Sequence, residues 1–185
     1  MNKTIRALLC ALLLAGCFGS SSNKKTPSAA DALPTEEPRE LTQELVQELE
    51  EQGVLPRLNR DNTLLGPDDN NNGIRDDIDA MLAKRYTDER ELKAAEQMAR
   101  AMQSVFTVDL ENIIAVKEVN RQISRANTCI YSVFDPESED RSAFGVGSDL
   151  QAMTYNTRNR LRHYMQFNRA LSGTSWGKAK EDTCE

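Results

Sequence analysis

The chain has 185 residues, with 23 Lys plus Arg against 29 Asp plus Glu, a formal net charge of −6 and a single histidine. That length supports one hydrophobic core rather than two comfortable domains. An acidic chain without a long basic cluster is repelled by phosphate backbones, which argues against a nucleic-acid partner, and one histidine with no Cys-x-x-Cys pair leaves no transition-metal constellation.

The first twenty residues, MNKTIRALLCALLLAGCFGS, set Lys3 and Arg6 ahead of an apolar run from Ala7 to Leu14 and a small pair before Cys17. This order is that of an export signal, and the run is too short to span a bilayer as a helix. Leu14-Ala15-Gly16-Cys17 resembles the lipobox of bacterial lipoprotein signals. The resemblance implies cleavage after Gly16 and a diacylglyceryl thioether on Cys17. Cys10 is the poorer candidate because bulky Leu9 precedes it. Removal of residues 1–16 takes Lys3 and Arg6 and no acids, so 21 basic residues face 29 acidic ones, a net charge of −8. Two or three acyl chains anchor firmly where one binds marginally. Phe18 and Gly19 follow the cysteine, and with no Asp there the resemblance implies an outer-membrane anchor facing the periplasm, or the outer leaflet of a cell with a single membrane. An ordinary secretory signal with an incidental cysteine is the plainer alternative. Residues 18–38, rich in Ser, Ala and Pro, hold too little apolar surface to fold and form a tether. A flexible coil of about twenty residues reaches roughly 25 Å.

From residue 39 to 185 the apolar residues recur close to every 3.6 positions, which predicts an all-α body, a small bundle of about four helices. Leu41, Leu45 and Leu49 mark one face of the first, with Gly53 placed to cap its end. Pro56 and Gly66-Pro67 keep the following stretch irregular. Ile78, Met81 and Leu82 open the second helix, which Asp88 and Glu91 restart as a capping box, and Leu92, Ala95, Ala99, Met102 and Phe106 continue it. A third begins near Asp109, turns Ile113, Val116, Ile123 and Ile130 inward, and ends before Asp135-Pro136. Ser148 with Gln151 caps a fourth, which carries Leu150, Met153, Leu161, Tyr164 and Leu171 on one side and stops at Gly173. Arg158, Arg160, Arg162 and Arg169 spread over its remaining surface, where they balance Glu-rich helices; a patch for an anionic partner is the functional alternative. His163 among them is expected at the surface, and the methionines are spaced as bundle filling.

With Cys10 removed and Cys17 acylated, Cys129 and Cys184 are the pair left over, and an oxidising compartment makes one disulfide of them.

The stretch between the first two helices is the sharpest chemical signal. Asp68-Asp69-Asn70-Asn71-Asn72-Gly73-Ile74-Arg75-Asp76-Asp77-Ile78-Asp79 has the spacing of a calcium loop. A hard divalent cation takes six to eight oxygens at about 2.4 Å, and ligands at positions 1, 3 and 5 converge only if the backbone then turns sharply at a glycine. Asp68, Asn70 and Asn72 fill those positions and Gly73 the sixth. Ile74 would offer its carbonyl, Asp76 would act directly or through water, and Asp79 closes the set. The loop resembles EF-hand-like loops, above all the Asp-ended ones of dockerins and thrombospondin type 3 repeats. LPRLNRDNTLLGPDDNNNGIRDDIDAML as a whole resembles a motif of uncharacterised bacterial exported proteins, which implies no activity. Three features depart from the EF-hand pattern: Asp79 is shorter than the usual Glu, Arg75 replaces an apolar residue, and no second loop exists to pair with. The ligand set suggests an affinity of roughly 0.1–1 mM, as in extracellular modules. The rival reading is a polar turn whose acids sit near a helix N-terminus.

The expectation is therefore a lipid-anchored, calcium-binding helical envelope lipoprotein, working as a binding or structural module toward an envelope protein or the cell wall. No nucleophile, phosphate or redox motif marks an enzyme. The alternative is a small periplasm-facing hydrolase using Asp76 or Asp77 in the acidic loop.

Overall fold

The computed structural model describes residues 42–138, 141–174 and 183–185. The lipobox Leu14–Cys17, the tether and Leu41 lie outside the described residues. Those described form helices α1 (Gln43–Glu51), α2 (Asp76–Arg85), α3 (Glu89–Gln103), α4 (Ile113–Val133), α5 (Ala143–Thr154) and α6 (Arg158–Ala170), with a 3₁₀ turn at Ser104–Phe106 after α3. No strand occurs among them. The class is all-α, as the periodicity predicts, but two of the expected helices are each broken in two.

The first break follows α2, where Tyr86 turns extended and the Asp88 carboxylate accepts from the Arg90 and Glu91 backbone N–H groups, starting α3 afresh. The second corrects the expected fourth helix. Ser142, not Ser148, caps α5 by accepting from the Gly145 N–H at 3.2 Å. Helix α5 ends at Thr154, and Thr157 caps α6 by accepting from the Arg160 N–H at 3.2 Å. Helix α4 begins at Ile113 rather than near Asp109, with Asn112 as its cap.

The main core joins Ile74, Ile78 and Leu82 to Ala95, Met98, Ala99 and Met102 of α3, Ala126 and Ile130 of α4, and Val146 and Leu150 of α5. Small residues on α3 let α4 and α5 approach closely, and its most extensive packing is on these two helices. Each fully buried Leu or Ile contributes about 1.5–3 kcal/mol relative to exposure. A second cluster, Val105, Val116, Val119, Phe167 and Leu171, seats α6 against α4 and the 3₁₀ turn. Helix α1 has no buried residue; Leu45 and Leu49 are half-buried, and Gly53 at φ 72° closes the helix, with the Val54 N–H bonded back to the Leu49 carbonyl.

Two residues expected inward face solvent instead, Ile113 at 42% and Leu161 at 47% exposure. His163 is half-buried rather than at the surface, its Nε2 3.1 Å from the Val105 carbonyl oxygen and its ring against Phe106. Cys129 and Cys184 form a disulfide that holds the C-terminal residues against α4. The same segment is tied to α3, where Gln97 Nε2 donates to the Thr183 carbonyl at 2.7 Å. Among the described residues no helix is long and apolar enough to cross a membrane.

Candidate functional site

The loop from Asp68 to Asp79 turns on two left-handed residues, Asn71 at φ 56° and Gly73 at φ 81°. Short polar side chains tolerate that region and glycine enters it without a Cβ penalty. Asp68 spans the turn: its Oδ1 accepts from the Asn72 N–H at 3.1 Å and its Oδ2 from the Gly73 N–H at 2.9 Å. Asn70 Oδ1 accepts from the Asn72 N–H at 3.0 Å and Asn72 Oδ1 from the Ile74 N–H at 2.9 Å. The amide nitrogens of both asparagines donate to one oxygen, Asp79 Oδ2, at 3.0 and 3.1 Å. Positions 3, 5 and 12 of the ligand set expected from the sequence thus meet at a single atom, and position 1 holds the turn that aims them. Asp76 is held elsewhere, its Oδ1 accepting from the Asp69 N–H at 3.0 Å. Ile74 is buried in the core, which leaves its backbone carbonyl for any ligand role.

No three carboxylate, thiol or imidazole groups gather into a metal site by themselves among the described residues. The convergence depends on the two amides. Asp68, Asp69, Asp76 and Asp79 are in no ion pair among the described residues, whereas Asp77 is bridged by Arg75. An all-oxygen set follows if Asn70 and Asn72 present their amide oxygens, and such a set suits a hard divalent cation.

What the sequence does not announce lies beneath the loop. Arg75 and Arg160 are both 0% exposed. Arg160 is thereby corrected from a surface arginine to a core residue. Arg75 Nη2 donates to Asp77 Oδ2 at 2.9 Å and to the Met153 carbonyl at 3.0 Å, while Nη1 reaches the Thr154 carbonyl at 3.3 Å. It therefore satisfies carbonyls at the C-terminus of α5, an end that favours positive charge. Arg160 Nε donates to the Leu64 carbonyl at 3.0 Å, and its other nitrogens reach the carbonyl and side chain of Asn59, Asn156 and Asp61. Burial, and then the neighbouring Arg75 charge, pull the Arg160 pKa down from its ordinary value. The hydrogen bonds to carbonyls and carboxylates offset that penalty. Gly66, at φ 71°, passes directly over the pair: a Cβ there would lie 2.4 Å from Arg75 Cδ and 3.1 Å from Arg160 Nη2.

Asp77, the second carboxylate of the hydrolase alternative, accepts from Arg75 and also from the Asn59 N–H at 2.7 Å. It joins the irregular stretch of chain before the loop to the first turn of α2. Arg75 and Arg160 carry no marker in the sequence beyond the unusual arginine at the eighth loop position.

Comparison with known proteins finds no matching family model, no similar curated protein and no similar solved structure.

Proposed function

We propose that this chain is a lipid-anchored, calcium-binding helical lipoprotein of the bacterial cell envelope, held through Cys17 in the outer membrane, facing the periplasm, and working as a binding or structural module for an envelope protein or the cell wall. The observation that carries the calcium part is the meeting of Asn70 and Asn72 on Asp79 around the turn spanned by Asp68. Asp68, Asn70, Asn72 and Asp79 would hold the ion, with the Ile74 carbonyl and Asp76, directly or through water, completing the shell. Calcium supplies positive charge there to a loop whose acids, Asp77 apart, are in no ion pair among the described residues. Ile74 and Arg75, which leave the loop into the core, tie the site to the bundle, so the ion's role is structural.

Calcium titration of the mature chain by calorimetry, beside thermal melts in calcium and in EDTA, tests this. One site of roughly 0.1–1 mM is expected. At about 10 mM calcium it stabilises the fold by about 1–3 kcal/mol by mass action. Both effects should vanish in Asp68→Ala and Asp79→Ala. Absence of heat and of any melting shift up to several millimolar calcium would reduce the loop to a polar turn. Incorporation of labelled palmitate, lost in Cys17→Ser, is the corresponding outcome for the anchor.

A further inference from the structure

Helix α6 turns toward solvent a face the bundle does not use. At 3.6 residues per turn, Arg158, Leu161, Arg162, Met165 and Arg169 fall within an arc of about 100° along roughly 16 Å of axis. All five are exposed, Leu161 at 47% and Met165 at 59%. The helix, RNRLRHYMQFNRA, contains no Asp or Glu. None of the three arginines is in an ion pair among the described residues. The arginine that the interior requires, Arg160, is a separate residue pointing the other way, so core packing does not account for the stripe.

We propose that this stripe docks the folded body onto an anionic phospholipid surface. Guanidinium groups bind phosphate in fork geometry. The two apolar side chains between them are placed to enter the acyl boundary, as on helices that lie in a membrane interface. A line of charge on a convex helix fits a deformable surface. Two cavities among the described residues lie elsewhere, one between α1, α2 and α5 and one between α3 and α4. Because the chain as a whole is acidic, the stripe also fixes orientation, turning the remaining acidic surface away from the headgroups. The attraction requires neither the acyl group nor calcium.

The test is vesicle flotation of the mature chain from residue 17, disulfide intact, carrying Cys17→Ser so that no acyl chain contributes. Vesicles of phosphatidylcholine alone are compared with an equal mixture of phosphatidylcholine and phosphatidylglycerol, with and without calcium. Binding to the anionic vesicles only, weakening as salt rises, is expected. Arg158→Gln, Arg162→Gln and Arg169→Gln together should weaken it about 100-fold, at about fivefold per arginine. Leu161→Ser with Met165→Ser should weaken it about tenfold and leave the salt dependence in place. Both variants should melt with the wild type, since these side chains face solvent. Equal binding to both vesicles, or no binding to either, overturns the proposal. So does binding that needs calcium and fails in Asp68→Ala, which would be ion bridging through the acidic loop. Arginine-dependent capture of polyglutamate in preference to vesicles, indifferent to the Leu161 and Met165 changes, would make the partner an acidic polypeptide and overturns it equally.

Discussion

Among the described glycines, Gly66 leaves the least room for a side chain, because Arg75 and Arg160 lie against it. Two effects oppose any side chain at Gly66, the left-handed φ of 71° and the collision with Arg75 Cδ at 2.4 Å. Gly53 isolates the first effect, since it adopts φ 72° with nothing within 4 Å of where a Cβ would stand. Gly53→Ala should therefore cost about 1 kcal/mol and Gly66→Ala about 3 kcal/mol or more, the difference being overpacking. Urea titration of the two variants checks the contrast, and equal losses would show that Arg75 moves aside freely. Arg75 also explains its own departure from the EF-hand pattern. The position still faces the core, but a guanidinium fills it by capping α5 and pairing Asp77.

At the scale of elements, the α5–α6 break carries both the surprise and the chemistry. Tyr155 occupies it, with its hydroxyl donating to the Met102 carbonyl at 3.2 Å and its ring stacked on Tyr164 at 4.1 Å. Burial raises its pKa far above the ordinary phenol value. The unfolded chain ionises this phenol near pH 10 while the folded chain does not, so its contribution is complete below about pH 10 and is lost as pH rises further. Tyr155→Phe should lose about 1 kcal/mol at neutral pH through the missing hydrogen bond. It should also soften the alkaline decline in melting temperature, leaving a remnant from Tyr86, whose pKa burial also raises. A decline as steep as the wild type's would assign the alkaline sensitivity elsewhere. The break is hidden in the sequence because Leu150, Met153, Leu161, Tyr164 and Leu171 keep helical spacing straight through it. Ser142 is hidden because Gly145 and Gly147 weaken the helix signal after it, and Ser148 with Gln151 imitates a cap. Asp88 and the turn that Asp68 spans are legible because a cap and an Asp-Asn-Gly turn are local patterns. The burial of Arg75 and Arg160 is not, since it rests in part on backbone carbonyls 79 and 101 residues distant, which leave no trace in side-chain identity.

For the whole molecule, the disulfide between positions 55 apart does what the small core cannot do alone for the C-terminal segment. Closing a loop of that length restricts the unfolded chain by about 4 kcal/mol on the loop-entropy model. Cys129→Ser with Cys184→Ser should lose up to that amount in denaturant titration, and the wild type in reductant should match the double variant. The tail does not rest on the disulfide alone: Gln97 donates to Thr183 and accepts from the Glu185 N–H at 3.3 Å, and Arg100 pairs with Glu185 at 3.0 Å. The two ends of the described body are thus secured very unequally. Helix α1 has no buried residue, and the half-exposed Arg60–Glu50 ion pair ties it to the chain that follows. A pull transmitted through the residues ahead of it would peel α1 away as a yielding leash before the load reached the bundle, while the covalently clasped end carried none of it.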